Sequence, residues 1–547
     1  TAHRANAGTM FSKTGKWYFE VRNKTDTAGS SVALGVGLQD TSKNLAYSTG
    51  DNNYIYYCNN NSPLTSLNTT TNSLGSFVAG AGDIMQVAYD ADSGKLFIGK
   101  NNTYVAADSG TDGNPATGAN PTATLSTTID YIPFVGTYNN EATANFGQDD
   151  TFAGAISSAG NTDGNGRGVF KYAPPSGFLA LCSANLPEPT IGSNSATQSD
   201  DHFNSVLYTS DNIGANGTQN VTGVGFKPDW VWLKNRTSGS TSHTLYDSSR
   251  GTGRHLSSDT TGAEVGLNSE YGYLGTFGDD GYTLRGGSTN ANYVNQSTDA
   301  YASWNWKANG GTTVTNTDGS IDSTVQANTD AGFSIVTYSG NTDASATIGH
   351  GLGKTPKVIF AKQRDEAGNW IGFTETTGAT KKLNLNETTG SATSALWNDT
   401  APTSTVFSVK DTSSQDTFGD GHTYVAYCFA EIEGYSKFGS YVGNSNADGA
   451  FVYFGFRPTW VLIKNTSTND DNWYLADDVR DTDGNPMTEI LNPNRNAAEY
   501  TTGSNKIDFT SNGIKMRDSA SGDTNISGEV YFYMAFAKAP FKYANAK

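Results

Sequence analysis

Two pairs of an aspartate and an arginine are the first candidates for chemistry in this sequence. They are Asp247 with Arg250 and Asp477 with Arg480, each pair three residues apart. An enzyme interpretation would make the aspartate a general base. The alternative is a buried or half-buried ion pair that fixes a loop, because an arginine fork fits a carboxylate well. We favour the ion pair, since no reactive residue recurs in all of the repeated segments described below.

The histidines do not form a recognisable metal or catalytic motif. They are His3, His202, His243, His255, His350 and His422. None has the two-histidine spacing of a helical metal site, and the sequence contains neither a Gly-x-Ser-x-Gly elbow nor a phosphate-binding loop. His350 stands between glycines, which favours a structural role. The sequence therefore predicts no catalytic residue and no cofactor, although the geometry of paired carboxylates for glycoside hydrolysis is not visible at this level.

Asp- and Asn-rich turns at residues 110–114, 161–165 and 481–485 resemble calcium loops. They lack the downstream glutamate of an EF-hand. Because Asn and Asp hydrogen-bond their own backbone, these segments are predicted to be turns without a metal ion. The cysteines Cys58, Cys182 and Cys428 are far apart and flanked by apolar residues, so they are predicted to be buried free thiols.

The only weak candidates for ligand binding are Tyr54, Tyr56 and Tyr57, in an Asn-rich stretch. Aromatic faces on loops stack on sugars or fill protein hot spots. The alternation suits a strand equally well, with Tyr54 and Tyr56 on one face and Tyr57 on the other. We favour the strand.

The composition indicates an all-β protein that avoids nucleic acids and membranes. Charged residues make up 16% and aromatic residues 12%, and the chain has 62 glycines. Thr and aromatic residues suit strands, and Gly and Asn suit tight turns. A net charge of −18 repels phosphate backbones. No apolar run approaches the ~18 residues of a membrane span, so membrane insertion is not expected.

Internal repeats are the most informative feature. Residues 225–235 (GFKPDWVWLKN), 353–362 (GKTPKVIFAK) and 455–465 (GFRPTWVLIKN) share one pattern. It predicts a turn fixed by Gly and Pro, a strand buried on both faces and a basic residue at the strand exit. A closing aromatic strand recurs at residues 301–306, 424–429 and 531–536. We interpret these segments as three copies of one β-sandwich, each with its own core.

The predicted domains follow from these repeats. They are residues 1–188, a first repeat at 200–310, a linker at 311–331, a second repeat at 332–434 and a third at 436–547. The predicted fold class is therefore all-β, with serial β-sandwich domains. Almost no chain separates the second and third repeats, so rigid stacking is expected.

The first domain resembles a SPRY domain, the β-sandwich found in many interaction proteins. The resemblance is carried by residues 15–21 (GKWYFEV), 34–38 (LGVGL), 82–90 (GDIMQVAYD), 133–136 (PFVG), 145–148 (NFGQ) and 175–181 (PSGFLAL). It implies a SPRY-like β-sandwich over residues 1–188.

The repeats resemble a domain that follows SPRY-like or lectin-like modules in tailed-phage virion proteins, notably marine-phage tail fibres. Besides the Pro-led strands, the marks are residues 245–251 (LYDSSRG), 328–338 (NTDAGFSIVTY) and 349–356 (GHGLGKTP). The resemblance implies a non-enzymatic virion protein, a tail fibre or other external appendage that contributes to host-surface attachment. The implied partners are other virion proteins, copies of the same chain in a homo-oligomer (a trimer is favoured), and a host surface glycan or protein.

Three alternatives stay open. A capsid-decorating or head-fibre protein would have a similar build. A polysaccharide depolymerase would need a carboxylate pair that the sequence does not single out. A bacterial adhesin could use the same domains.

Overall fold

The computed structural model describes residues 4–8, 10, 14–24, 33–40, 53–59, 62–68, 70–73, 77, 79–107, 110–127, 131–138, 140–192, 195–268, 270–289, 293–296, 298–412, 416–467, 470–481, 484–503, 506–519 and 523–543. The chain divides into two compact units, Thr1–Glu188 and Pro189–Lys547. Regular structure in the described residues is strand, apart from the 3-10 helices Ser183–Asn185, Ser199–Asp201 and Phe541–Tyr543. The all-β prediction is confirmed. No helix in these residues has the length and apolarity needed to cross a membrane.

The first unit contains two sheets. Its strands are β1 (Arg4–Ala7), β2 (Lys16–Asn23), β3 (Ala33–Asp40), β4 (Asn53–Asn59), β5 (Ser62–Asn68), β6 (Thr70–Ser73), β7 (Ile84–Asp90), β8 (Lys95–Lys100), β9 (Thr103–Val105), β10 (Ala123–Thr124), β11 (Tyr131–Tyr138), β12 (Ala142–Asn145) and β13 (Leu179–Ala180). One sheet has the order β1-β11-β3-β4-β5-β6. The other has the order β10-β8-β7-β2-β12, with β9 beside β8 and β13 beside β2. The strands of both sheets pair antiparallel except for β13, which pairs parallel with β2.

The two sheets of the first unit meet through aromatic contacts. Tyr89 of β7 lies edge-on to Tyr131 of β11, with ring centroids 6.0 Å apart. On the other face of its sheet, Tyr18 packs at 5.1 Å against Phe170, which belongs to the segment after β12. This arrangement explains why β7 is buried along its whole length.

The second unit contains three repeats. The first has β14 (Phe203–Thr209), β15 (Thr218–Thr222), β16 (Trp230–Asn235), β17 (Thr244–Asp247), β18 (His255–Leu256), β19 (Tyr273–Gly278), β20 (Gly281–Arg285) and β21 (Ala300–Trp306). The second has β22 (Val314–Asn316), β23 (Ser323–Asn328), β24 (Phe333–Ser339), β25 (Ser345–Gly349), β26 (Val358–Gln363), β27 (Trp370–Thr374), β28 (Lys381–Asn384), β29 (Ala392–Thr393), β30 (Val406–Lys410) and β31 (Thr423–Phe429). The third has β32 (Ser436–Val442), β33 (Phe451–Tyr453), β34 (Phe456–Asn465), β35 (Tyr474–Asp477), β36 (Glu489–Ile490), β37 (Tyr500–Thr501), β38 (Ile507–Thr510), β39 (Gly513–Met516) and β40 (Val530–Pro540).

The same strand order recurs in the three repeats. The large sheets run β14-β21-β16-β17-β18, β24-β31-β26-β27-β28 and β32-β40-β34-β35. In each case the closing aromatic strand lies between the first strand and the Pro-led strand. The small sheets run β15-β20-β19, β25-β30 and β33-β39-β38. Each repeat encloses its own hydrophobic cluster.

Residues 311–331, expected to be a linker, contain β22 and β23, which extend the large sheet of the second repeat. The Gly-, Thr- and Asn-rich composition predicted a loop. Val325 of β23 is nevertheless buried against the core of the second repeat. Pairing with β24 therefore fixes this segment as strand, which composition alone did not reveal.

A further hydrophobic cluster is shared by all three repeats, which the sequence did not predict. Trp230 of the first repeat stacks on Tyr427 of the second at 4.4 Å. Trp306 of the first lies edge-on to Trp460 of the third at 5.8 Å. The repeats are therefore not a row of separate bodies, because the inner faces of their large sheets pack around one common core.

The beginning and the end of the second unit meet beside Gly434. A Cβ atom placed on Gly434 would lie 3.0 Å from Pro189 Cβ and 3.4 Å from Pro540 Cβ. Pro189 opens the unit, and Pro540 ends its last strand.

Candidate functional site: buried networks between the repeats

The first aspartate–arginine pair lies between the first and second repeats. Asp247 ends β17, and Arg250 follows in the next turn. Arg250 Nε donates to Asp247 Oδ2 over 2.5 Å, and both side chains are fully buried. The hydroxyl of Tyr427, in the closing strand of the second repeat, donates to the same oxygen over 2.7 Å. The aspartate is therefore held by its own repeat and by the neighbouring one.

Glu264 extends this network to a second arginine. Arg250 Nη1 lies 3.1 Å from Glu264 Oε2, and Arg364 Nε of the second repeat lies 2.9 Å from the same oxygen. Burial acts to raise the pKa of Glu264. The hydrogen bond from Arg364 and the charges of Arg250 and Arg364 outweigh burial and lower that pKa to about 2. The carboxylate is thus charged and compensated at neutral pH.

An equivalent network lies between the third and first repeats. Arg480 Nε is 2.6 Å from Asp477 Oδ2, and both side chains are fully buried. The indole N–H of Trp304, in the closing strand of the first repeat, donates to Asp477 Oδ2 over 2.9 Å. Glu499 joins Arg480 at 2.6 Å and Arg236 of the first repeat at 2.5 Å.

At the boundary between the second and third repeats, uncharged residues occupy the positions that the ion pair and its partner occupy at the other two boundaries. Thr374 pairs with Val358 there, as Asp247 pairs with Trp230 and Asp477 with Trp460. In the closing strand of the third repeat, Met534 occupies the position that Trp304 occupies in the first repeat and Tyr427 in the second. The backbone contact is kept, because Ser391 N donates to Thr466 O over 3.0 Å. At the other two boundaries, the equivalent backbone hydrogen bonds run from Glu264 N to Arg364 O and from Glu499 N to Arg236 O.

The basic residue at the exit of each Pro-led strand reaches the neighbouring repeat. Lys234 Nζ donates to Asn496 O over 3.3 Å, Lys362 Nζ to Thr261 O over 3.1 Å and Lys464 Nζ to Thr388 O over 2.7 Å. Burial lowers the pKa of each of the three lysines to about 8. The contacts run from first repeat to third, second to first and third to second, so they close within the unit.

On the strand after the Pro-led strand, a buried tryptophan of the second and of the third repeat also reaches the neighbouring repeat. Trp370 Nε1 donates to Ser257 O over 2.8 Å, and Trp473 Nε1 donates to Asn384 O over 3.0 Å. His243 precedes β17 of the first repeat as Trp473 precedes β35 of the third. Burial lowers the pKa of His243 well below its usual range, so its ring is neutral, and Nδ1 accepts the indole N–H of Trp232 over 3.0 Å.

These contacts confirm the ion-pair interpretation of Asp247–Arg250 and Asp477–Arg480. Each charge is buried against an opposite charge, and each network joins two repeats. Chemically, the arrangement can fasten sheets together. The recurrence of Trp370 and Trp473 after the Pro-led strand had indicated a shared core role for them. Sequence reasoning missed Glu264, Glu499 and the equivalence of His243 with these two tryptophans. The recurrent lysine at the strand exit was the one local signal of a contact between repeats.

The remaining candidates lie elsewhere. Asp163, in the calcium-like segment 161–165, accepts N–H hydrogen bonds from Asn165, Arg167, Ala180 and Asn185 over 2.7–2.9 Å. Its carboxylate therefore fastens a turn. His350 is buried, and its Nδ1 accepts the backbone N–H of Leu352.

The other two calcium-like segments differ. In segment 110–114, Asp112 accepts a hydrogen bond from Asn120 Nδ2 over 2.8 Å, beside an open depression of about 380 Å³. Asp483 of segment 481–485 lies outside the described residues. The described residues hold no group of three His, Cys, Asp or Glu side chains arranged to bind a metal ion.

The binding candidates Tyr54, Tyr56 and Tyr57 lie on β4, between β3 and β5. Their side chains are outside the described part of the chain. Cys428 is buried and Cys182 is half-buried, both as free thiols, and the side chain of Cys58 is not among those described.

Two family models match the chain. A SPRY domain model matches residues 16–149, which confirms the SPRY prediction for the first unit. A model described as a domain of unknown function (DUF7483) matches residues 198–540, more than half of the chain. The protein belongs to the DUF7483 family. The DUF7483 match spans all three repeats and both buried networks.

Comparison with solved structures finds the crystal structure of the SPRY domain of human HERC1. It is 12% identical over 26% of this chain and 82% of that chain, with a TM-score of 0.19. No curated protein matches the chain.

Proposed function

We propose that this DUF7483 protein is a structural component of tailed-phage virions, a tail fibre or other external appendage that contributes to host-surface attachment without enzymatic activity. The main support is the use of its acid–base pairs. Asp247–Arg250 and Asp477–Arg480 are fully buried, and each aspartate accepts a hydrogen bond from a neighbouring repeat. The residues that an enzyme interpretation would use are thus occupied in buried contacts that hold the repeats together. The virion setting rests on the resemblance of the repeat motifs.

The DUF7483 unit suits a scaffold role because its repeats resist separation. Pulling two of them apart would expose the common core. It would also separate the largely buried carboxylate of Glu264 from Arg364. Breaking one buried ion pair typically costs about 3–5 kcal/mol. Such a unit keeps its form outside a particle, where no other protein maintains it.

We assign host contact to the first unit. Polar loops on a β-sandwich provide a variable surface for a glycan or a protein. Tyr54, Tyr56 and Tyr57, and the depression beside Asp112 and Asn120, are the first places to test. Weak contacts of this kind gain strength when many copies act together.

The expected partners are other virion proteins and further copies of this chain, with a homotrimer favoured. The contacts between repeats close within one DUF7483 unit. Association between chains would therefore use other surfaces.

The test is mass spectrometry of purified particles of the phage whose genome encodes the chain. We expect the protein in stoichiometric amounts, and soluble chain should compete with particles for adsorption to cells. Absence from the particles would overturn the proposal. Antibody labelling seen on the head would replace the tail location with a head fibre.

Incubation with host-envelope glycans tests the enzymatic alternative. We expect no new reducing ends. Their release, abolished by replacing one carboxylate, would identify a depolymerase and overturn the non-enzymatic assignment.

A further inference from the structure

The first strand of the first repeat, β14, forms one edge of its sheet. His202 O accepts the N–H of Lys307, and Ser210 N donates to Asp299 O, each over 2.9 Å. Hydrogen-bonded pairs alternate along antiparallel strands. The backbone groups of Ser205 and Leu207 therefore point away from β21, toward the open edge.

Nothing in the described residues pairs with this edge of β14. Ser205 Oγ is buried and has no hydrogen-bond partner there. Leu207 is 36% exposed, which is unusual for a large apolar side chain among the described residues. The open stretch ends at Thr209, whose carbonyl oxygen accepts Gln219 Nε2–H over 2.8 Å.

The second repeat shows what covers the corresponding edge. Phe203 and Phe333 are equivalent, since each pairs with the last aromatic residue of its closing strand. In the second repeat β23 pairs antiparallel with β24, with Gln326 opposite Ile335 and Thr324 opposite Thr337. By this equivalence, Ser205 and Leu207 stand where Ile335 and Thr337 stand. The chain thus supplies an added strand to one repeat and none to the other.

In the third repeat, the chain's own residues cover the beginning of the same edge. Ser436 N donates to Ile432 O over 2.9 Å. Glu431 lies beside β32 and pairs with Lys437 at 3.1 Å. Charged side chains on an edge strand block further pairing. β14, with the sequence FNSVLYT, carries no charge.

We propose that the open edge of β14 binds an extended segment of another polypeptide, which adds as an antiparallel strand. Added strands gain affinity from backbone hydrogen bonds and specificity from alternate side chains. In β23, Val325 lies opposite Val336. The partner therefore takes a small apolar residue opposite Val206 and a hydrogen-bonding side chain opposite Ser205.

The charges around β14 favour a different polypeptide over a second copy of this chain as the bound strand. Asp200 and Asp201 precede β14, and Asp211 follows it. Two antiparallel β14 edges would bring these acidic ends together in a chain of net charge −18. A strand with basic residues at both ends is complementary.

The test uses the full chain and a dye-labelled peptide with the β23 sequence STVQAN and one lysine at each end. Fluorescence anisotropy is expected to show saturable binding, with slower hydrogen exchange at Ser205 and Leu207. Leu207→Pro removes an outward N–H at an edge, where proline is tolerated. We expect it to weaken binding by about tenfold or more. Val314→Ala, which trims an exposed apolar residue on β22, should leave binding unchanged.

A second probe keeps the test decisive if Leu207→Pro fails to fold. The same peptide, N-methylated at alternate amides on its bonding edge, should not bind the unmodified chain. Equal binding of both peptides would overturn the proposal, as would no saturation at millimolar peptide. Self-association of the chain that Leu207→Pro abolishes would assign the edge to a second copy and also overturn it.

Discussion

The indole N–H of Trp304 donates to the carboxylate of Asp477 over 2.9 Å, although the two residues are 173 positions apart in the sequence. This bond joins the first and third repeats, which no peptide segment connects directly. It lies beside the Asp477–Arg480 ion pair, where both side chains are fully buried. The contacts that close the DUF7483 unit therefore include a hydrogen bond to a charged acceptor.

Trp304→Phe tests this bond. Trp306→Phe is a matched control, because both indoles are buried and Trp306 Nε1 has no hydrogen-bond partner in the described residues. Hydrogen bonds to charged groups contribute about 1.5–3 kcal/mol. We expect Trp304→Phe to lower the free energy of unfolding by about that much more than Trp306→Phe. Urea unfolding measures both, and equal losses would contradict the expectation.

Arg480→Met tests the ionic network. It leaves Asp477 and Glu499 without the cation between them, and we expect a loss of about 3–5 kcal/mol of unfolding free energy. Asp477→Thr with Arg480→Thr copies the threonines Thr374 and Thr377 of the second repeat. The double variant should cost less than Arg480→Met, because it removes both charges of the pair. A larger cost, measured by chemical denaturation, would show that the pair is not the source of the loss.

The three interface lysines predict a pH dependence. Burial lowers the pKa of Lys234, Lys362 and Lys464 from 10.5 to about 8 in the folded chain. Above about pH 8 the unfolded state therefore holds more protons than the folded state, and stability rises with pH. Above about pH 10 the sign reverses, because burial raises the pKa of tyrosines such as Tyr301 and the unfolded state then loses protons first.

Urea midpoints from about pH 7.5 to about pH 9.5 measure this slope. Lys362→Met should reduce it. Lys381→Met, at an exposed position of β28, should not. A wild-type midpoint that falls across this range would contradict the assignment.

The cysteines predict selective labelling. Cys428 is buried, burial raises the pKa of its thiol, and Cys182 is half-buried. Thiolates are the reactive form, so iodoacetamide should modify Cys182 about 100-fold or more faster than Cys428 in the native protein. Peptide mass spectrometry follows both sites, and the rates should converge in denaturant. Equal native rates would mean that the closing strand of the second repeat opens readily.

The sequence revealed the parts of the fold that depend on local pattern. The Gly-x-x-Pro turn and the apolar run after it predicted the buried strands β16, β26 and β34. The spacing of Asp247 and Arg250 predicted their ion pair. Composition misled at residues 311–331, because Thr- and Asn-rich strands resemble loops until their buried Val325 and pairing strand are known.

The common core and the links between repeats were beyond sequence reasoning. Arg364 pairs with Glu264 across 100 positions, and no spacing rule connects residues that far apart. The equivalence of His243 with Trp370 and Trp473 was hidden by residue type. Buried rings with a ring N–H fill this position in each repeat, so packing defines the position better than identity does.

The meeting of Pro189 and Pro540 beside Gly434 has a mechanical consequence. Tension applied along the polypeptide would enter and leave the DUF7483 unit at one corner. A pull on the chain would therefore peel the first repeat from the third at that corner, without stretching the three repeats in series.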